Sequence, residues 1–140
     1  MNEKGFTIKK LPIYDESFNG EKDAIARMIN HKGELAVLST EEINFIAYVD
    51  FLQNGESRGN HYHNNKMEYL YLCKGKIKGY FRNCQETNEN VEIVDIEAGS
   101  LIFIYPGCSH KFETIEEGHA IEFSATKFEL LKDDSIKDFI

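Results

Sequence analysis

Two imidazoles two residues apart, His61 and His63, a carboxylate at Glu68 and a third imidazole at His110 are the side chains here whose types and spacing suggest metal chemistry. Nitrogen and carboxylate-oxygen donors of this kind hold divalent first-row ions, and an ion with open positions polarises a carbonyl or acidifies a water. Side chains two apart on a strand leave the same face, about 7 Å apart at Cα, so His61 and His63 can converge on one ion. The pair alone says little, because exposed strands carry His-x-His by chance. Glu68 adds an energetic argument: it heads the alternating series Glu68, Leu70, Leu72, and an ionised carboxylate turned into an apolar interior is costly unless paired. At the rim of a barrel the same side chain would stand in water at no cost. His110 follows the apolar run Leu101 to Tyr105 and the turn Pro106-Gly107, so a tight turn leads into the strand that bears it. His31 and His119 lack such a context and read as surface histidines. Cys108, two residues before His110, reads as a core residue more readily than as a ligand or reactive thiol.

Strands must bring these residues together. From Ile43 onward the chain reads as short strands with turn signals between them, the pattern of an all-β sandwich or small barrel. The expected strands are Ile43 to Leu52, Ser57 to His63, Glu68 to Cys73, Lys76 to Phe81, Val91 to Ile96, Leu101 to Tyr105, His110 to Thr114 and Ala120 to Thr126. Asn54-Gly55 predicts a hairpin turn, Gly75 a second hairpin, and the polar stretch Asn83 to Asn90 an exposed loop. Ahead of these, Phe6 to Ile13 predicts a strand and Glu21 to His31 a short helix, with Ala24, Ile25, Met28 and Ile29 on one face and Gly33 as its stop. The end, Phe128 to Ile140, reads as a covering helix or a loose tail. The expected organisation is one domain: residues 1–42 as a strand and helix on the barrel, 43–126 as the barrel, 127–140 as a tail covering it.

A chain of 140 residues is long enough to fold without a disulfide or metal, so a metal would serve chemistry more than stability. Sixteen basic against 24 acidic side chains give a net charge of -8, which argues against nucleic acid and anionic membrane surfaces as partners. With no apolar leader and no stretch long enough to span a bilayer, the expectation is a cytoplasmic protein. Cys73, Cys84 and Cys108 cannot all pair within one chain and suit a reducing compartment.

The combined spacings resemble those of the cupins. The first cupin motif, a glycine, five residues, His-x-His, four residues, a glutamate, six residues and a glycine, is met by Gly55, His61, His63, Glu68 and Gly75; the second is met by Gly99, Pro106, Gly107 and His110. Tyr105 stands where a proline is usual and Thr114 where an asparagine is common, and neither is a ligand position. The resemblance implies a double-stranded β-helix, the jelly-roll barrel of cupins, usually a homodimer. It also implies one divalent ion, zinc, manganese, iron, nickel or cobalt, held by His61, His63, Glu68 and His110.

The segment Arg58 to His63 is further similar to rhamnose-pathway sugar-nucleotide epimerases and to the carboxy-terminal cupin domain of bifunctional capsular-polysaccharide reductase-epimerases. Because His63 and Glu68 are kept, the second group is the nearer. What this implies is an isomerase or epimerase of a keto-sugar or nucleotide sugar, working through metal-stabilised enolisation in carbohydrate biosynthesis. Arg58 is then a candidate substrate-binding residue, although strict alternation points it away from His61 unless Gly59 introduces a bulge. The catalytic base is left open, with Tyr48, Tyr62, Tyr71, Tyr80 and Tyr105 unranked. Two alternatives stand beside this reading: a metal-dependent dioxygenase of a small organic acid or thiol, and a non-enzymatic cupin that binds or senses a small molecule.

Overall fold

A computed structural model describes residues 5–14, 25–84 and 90–140, and nearly all regular structure among them is strand. In chain order the strands are β1 (Phe6–Lys10), β2 (Ile13–Tyr14), β3 (Ala26–Asn30), β4 (Gly33–Val37), β5 (Phe45–Phe51), β6 (Ser57–His63), β7 (Glu68–Asn83), β8 (Glu92–Glu97), β9 (Ser100–Ile104), β10 (Cys108–Ser124) and β11 (Ser135–Lys137). The main sheet runs β1-β9-β7-β10-β6-β11, with β5 added to β10 and β8 to β7; a small sheet, β2-β3-β4, lies apart from it. The architecture is the expected all-β double-stranded β-helix. No helix among the described residues is long and apolar enough to cross a membrane.

Two long strands make the frame. β7 and β10 pair antiparallel from Tyr69↔Phe123 to Asn83↔Cys108, with register shifts between Thr114 and Ala120. The sequence reading split each of them in two and placed a hairpin at Gly75. Instead the chain passes through Gly75 (φ 93) and bends, because both halves of β7 find partners on β10. At this corner the backbones nearly touch: a Cβ on Gly118 would lie 1.8 Å from the Lys74 carbonyl oxygen, and one on Gly75 would lie 2.7 Å from that of Glu116.

The hairpin expected at Asn54-Gly55 is corrected as well. β5 and β6 both pair antiparallel with β10 and follow one another along its edge, so the residues between them loop out without reversing the chain. Gly55 N–H donates to Thr114 O at 2.9 Å and Thr114 N–H to Glu56 O at 2.9 Å, which ties the loop down.

The predicted helix at Glu21 to His31 is not formed where it is described. Residues 21–24 lie outside the described part, and Ala26–Asn30 is β3, parallel to β2 and antiparallel to β4. Apolar residues at Ile25, Met28 and Ile29 fit either period, and tertiary pairing decides. Asn30 Oδ1 accepts the Lys32 N–H at 2.8 Å, closing the turn into β4, so Gly33 begins a strand where it was read as a helix stop. Arg27 is buried and reaches Glu34 Oε1 at 2.9 Å, and Tyr71 of β7 donates to Glu34 Oε2 at 2.5 Å; together these dock the small sheet on the barrel. The tail is a single 3-10 turn (Phe128–Leu130) followed by β11, where a covering helix or loose end was expected. Most of the loop expected at Asn83 to Asn90 lies outside the described residues.

The interior is filled from β1, β5, β7, β8, β9 and β10. Phe6 stacks on Phe81 at 3.9 Å between centroids, and Leu70, Leu72 and Ile77 are all but inaccessible. Leu70 and Leu72 share their face with Glu68, itself 3% exposed.

Candidate metal centre

Three strands deliver the four donor side chains. His61 and His63 come from the end of β6, Glu68 opens β7, and His110 is the third residue of β10, opposite His61 in the β6–β10 ladder. The alternation on β6 is reset just before them. Lys111 faces Gly59 while His110 faces His61, so Asn60 is the extra residue of a bulge, with φ 103 at Gly59 and 59 at Asn60. A Cβ on Gly59 would meet His110 O at 2.6 Å, so only glycine fits there. The bulge turns Arg58 and His61 toward the same cavity, which meets the condition set by the sequence reading.

One donor atom from each of His61, His63, Glu68 and His110 lies within 4.8 Å of all the others. The ring centroids of His61 and His63 are 4.8 Å apart, and those of His61 and His110 4.7 Å. Glu68 Oε1 stands 3.2 Å from His63 Nε2 and Oε2 stands 3.5 Å from His110 Nε2. His63 Nε2 is nevertheless buried without an aligned hydrogen bond among the described residues. An orphaned ring nitrogen amid nitrogen and carboxylate donors is what a divalent ion would satisfy, so the cluster could hold a metal.

The protonation states suit an ion. Burial first, then His110 and His63, lower the pKa of His61 to about 4. Burial likewise pushes His110 down. Burial alone would push Glu68 up, but His110, His63 and Lys66 outweigh it and hold the carboxyl below the usual carboxylate range. Near pH 7 His61 and His110 therefore offer lone pairs and Glu68 a charge. His110 Nδ1 lies 3.0 Å from Cys108 O, to which it donates when Nε2 faces the cluster. The Cys108 thiol, pushed up to about 12 by burial, stays protonated and outside the donor set.

His61, Glu68 and His110 open into a cavity of about 150 Å³, walled on its apolar side by Val49, Phe51, Leu70 and Phe112. Arg58 lines this cavity and also an outer one of about 460 Å³; its Nε donates to Asp50 O at 2.9 Å. None of the five tyrosines weighed as a base lines the inner cavity. Tyr71 faces the other way, bound to Glu34, and Tyr48 is exposed.

Glu122, which the sequence reading missed, lines the inner cavity instead, with Lys66, also missed, paired to it. Glu122 lines the cavity beside Glu68, its Oε2 2.5 Å from Lys66 Nζ, and Lys66 Nζ lies 3.7 Å from Glu68 Oε1 and over the Phe45 ring at 4.1 Å. Burial, then the charge of Glu68, push the Glu122 carboxyl up against the pull of Lys66. The signal in the sequence was weak: Glu122 shares its face with Ala120 and Ser124, while the large apolar residues Ile121 and Phe123 alternate onto the other face.

The C-terminal segment backs this centre. β11 pairs with β6 at Ser135↔His63, Ile136↔Tyr62 and Lys137↔His61. Just before it, buried Asp134 places Oδ2 3.8 Å from His63 Nδ1. Beyond it, Asp138 N–H donates to Asn60 O at 2.8 Å, and Ser109 and Arg82 both donate to the Asp138 carboxylate.

The model of the family described as polysaccharide biosynthesis C-terminal domain matches residues 29–134. No curated protein matches the chain in sequence. Among solved structures, a 3,4-ketoisomerase from Helicobacter canadensis is similar at TM-score 0.70 and 14% identity, over 95% of this chain and 90% of that one. A mutant of the 3,4-ketoisomerase from Thermoanaerobacterium thermosaccharolyticum, in complex with TDP-4-keto-6-deoxyglucose, is similar at 0.71 and 13%, over 99% and 90%. The dTDP-4-dehydrorhamnose 3,5-epimerase from Bacillus anthracis is similar at 0.63 and 10%, over 80% and 74%. At these identities the likeness is one of fold.

Proposed function

The chain belongs to the polysaccharide biosynthesis C-terminal domain family, and from that premise we propose that it is a metal-dependent isomerase or epimerase of a keto-sugar carried on a nucleotide, acting as a homodimer. The observation that carries the reading is the convergence of His61, His63, Glu68 and His110 on one another, beside a small cavity whose wall bears His61, Glu68, His110 and Glu122. The likeness to ketoisomerases and an epimerase, one of them holding a 4-keto sugar nucleotide, supports the choice of substrate.

A divalent ion of zinc, manganese, iron, nickel or cobalt, held by those four residues, would polarise the sugar carbonyl and offset the charge of the enediolate. Glu122 removes the proton on the carbon beside that carbonyl, leaving its electron pair in the enediolate. Return of a proton to the other face of the same carbon gives the epimer; return to the carbonyl carbon, with the oxygens exchanging roles, gives the ketoisomer. Lys66 keeps Glu122 aimed into the cavity and ready to release its proton again. His61, as a ligand, has no lone pair left for this task. Val49, Phe51, Leu70 and Phe112 keep bulk water from the enediolate. Arg58, which lines both cavities, takes the phosphate of the nucleotide at the neck between them.

The test is proton exchange. Metal-loaded protein is incubated in deuterated water with a panel of TDP- and UDP-linked 4-keto sugars, and deuterium beside the carbonyl is followed by NMR. Exchange with one member is expected, slowed in Glu122→Gln by roughly 10²–10⁴-fold. Exchange that persists after chelation and in His110→Ala would sink the metal-assisted mechanism.

A further inference from the structure

We propose that the site moves one proton along a single face of the sugar through Glu122, so that the carbonyl and the neighbouring hydroxyl change places and the product is a ketoisomer. The inference rests on the reading of a metal-assisted enolisation of a keto-sugar and chooses between its two outcomes.

Inversion of a carbon needs a proton returned to the face opposite the one it left, and so a proton donor on each side of the sugar. Migration needs one group that reaches two adjacent carbons from one side. Glu122 is placed as such a group. Its backbone lies within the sheet, opposite Leu70 of β7 on one side and Ala47 of β5 on the other. Its carboxylate is tied to Lys66, whose ammonium is held in turn over the Phe45 ring and 3.7 Å from Glu68 Oε1. Anchored at both ends, Glu122 addresses one side of a ring bound in the inner cavity, and a small pivot of the carboxylate carries it from one carbon to the next. The other side chains described around this cavity have different chemistry. His61, Glu68 and His110 are ligand candidates, and Arg58 is a permanent cation whose Nε already donates to Asp50 O. The remainder is Gly59 and the four apolar side chains of the wall. A ring bound here is therefore served with protons from the side of Glu122.

The step balances within the substrate. Glu122 takes the proton from the carbon beside the carbonyl, and the electron pair of that C–H bond forms the carbon–carbon double bond of a cis-enediolate as the carbonyl oxygen takes up the charge. The hydroxyl proton of the enediolate passes to the neighbouring oxygen. Glu122 returns its proton to the former carbonyl carbon on the same face, and the other oxygen closes the new carbonyl. One carbon is oxidised and its neighbour reduced, so no outside oxidant or reductant takes part.

The test reads where the carbonyl goes and on which face the new hydrogen stands. Metal-loaded wild type is incubated in deuterated water with TDP- and UDP-linked 4-keto sugars labelled with ¹³C throughout the sugar, and the products are followed by NMR. The carbonyl signal is expected to move to the adjacent carbon, with the new hydrogen or deuterium on the face from which the first hydrogen left. A new hydrogen on the opposite face overturns the proposal. Glu122→Gln is expected to slow exchange and migration together, by roughly 10²–10⁴-fold. Exchange that survives in this variant while migration is lost assigns the first transfer to another group and overturns the proposal; if the variant fails to fold, the stereochemistry of the wild-type product still decides. A wild type that exchanges no member of the panel overturns the enolisation reading and this inference together. Exchange with the carbonyl left in place, whether or not the carbon is inverted, overturns this inference alone.

Discussion

Glu68 is an ionised group almost wholly out of water, held there by its charged and polar neighbours. A carboxylate 3% exposed has lost its water, and without an ion its company is imidazole nitrogens and one lysine ammonium at 3.7 Å. Removing one partner from a buried charged cluster leaves the others uncompensated and typically costs about 3–5 kcal/mol. We therefore expect Glu68→Leu to lower the metal-free melting temperature while abolishing metal uptake; calorimetry with elemental analysis checks both, and an unchanged or raised melting temperature would contradict it. The convergence of the four donors was legible in the sequence because a β period of two, a glycine turn and the penalty on buried charge are all local arguments. Glu122 was less legible, since its face carries only Ala120 and Ser124 and the large apolar residues Ile121 and Phe123 point it outward. Asp134 was not legible at all: its partners Asn65 and Lys66 lie 69 and 68 positions away, and only the return of the chain end onto β6 brings them together.

At the scale of elements, glycines marked irregularities correctly while their meaning was misread. Positive φ at Gly55 and Gly75 signals a turn in a sequence, yet at Gly75 it bends a continuous strand and at Gly55 it loops out between two strands on one edge. Whether a turn reverses the chain depends on which edge is already occupied, and that is settled by β10, far away in sequence. The corner yields a ranked prediction. Gly118→Ala drives a Cβ into the Lys74 carbonyl and should cost on the order of 3 kcal/mol or more, as overpacking against fixed backbone does. Gly55→Ala, with φ 87 but open space around it, should cost only about 1–2 kcal/mol from backbone strain. Urea denaturation of both variants checks the order, and equal losses would show that the corner can relax. Similarly, the strand at β3 was hidden by a hydrophobic pattern that fits both periods, while the deciding contacts, Arg27 to Glu34 and Glu34 to Tyr71, depend on a hairpin and on a distant strand.

For the whole molecule, those contacts join the small sheet to the barrel, and their strength depends on pH. Burial alone would raise the Glu34 carboxyl, but hydrogen bonds from Arg27 and Tyr71 outweigh it and lower the pKa below 4.5. A depressed carboxylate stabilises the fold above its unfolded value, and the contribution disappears as pH falls through the folded value. The stability difference between wild type and Glu34→Gln should therefore be constant above about pH 5.5 and shrink in more acidic solution. Thermal melts of metal-free protein from pH 7 to pH 3 measure it, and a difference that grows on acidification would assign the joint to another interaction.

The bulge at Asn60 acts as a parity switch for the entrance of the cavity. Each residue inserted in a strand exchanges its inner and outer faces from that point on, and here one insertion lies between Arg58 and the first histidine. Deleting Asn60 would leave the histidines facing inward, since β10 and β11 hold them there, and turn Arg58, already exposed, away from the cavity. The side chains facing this cavity can thus be changed by chain length alone, with His61, His63, Glu68 and His110 all kept in place.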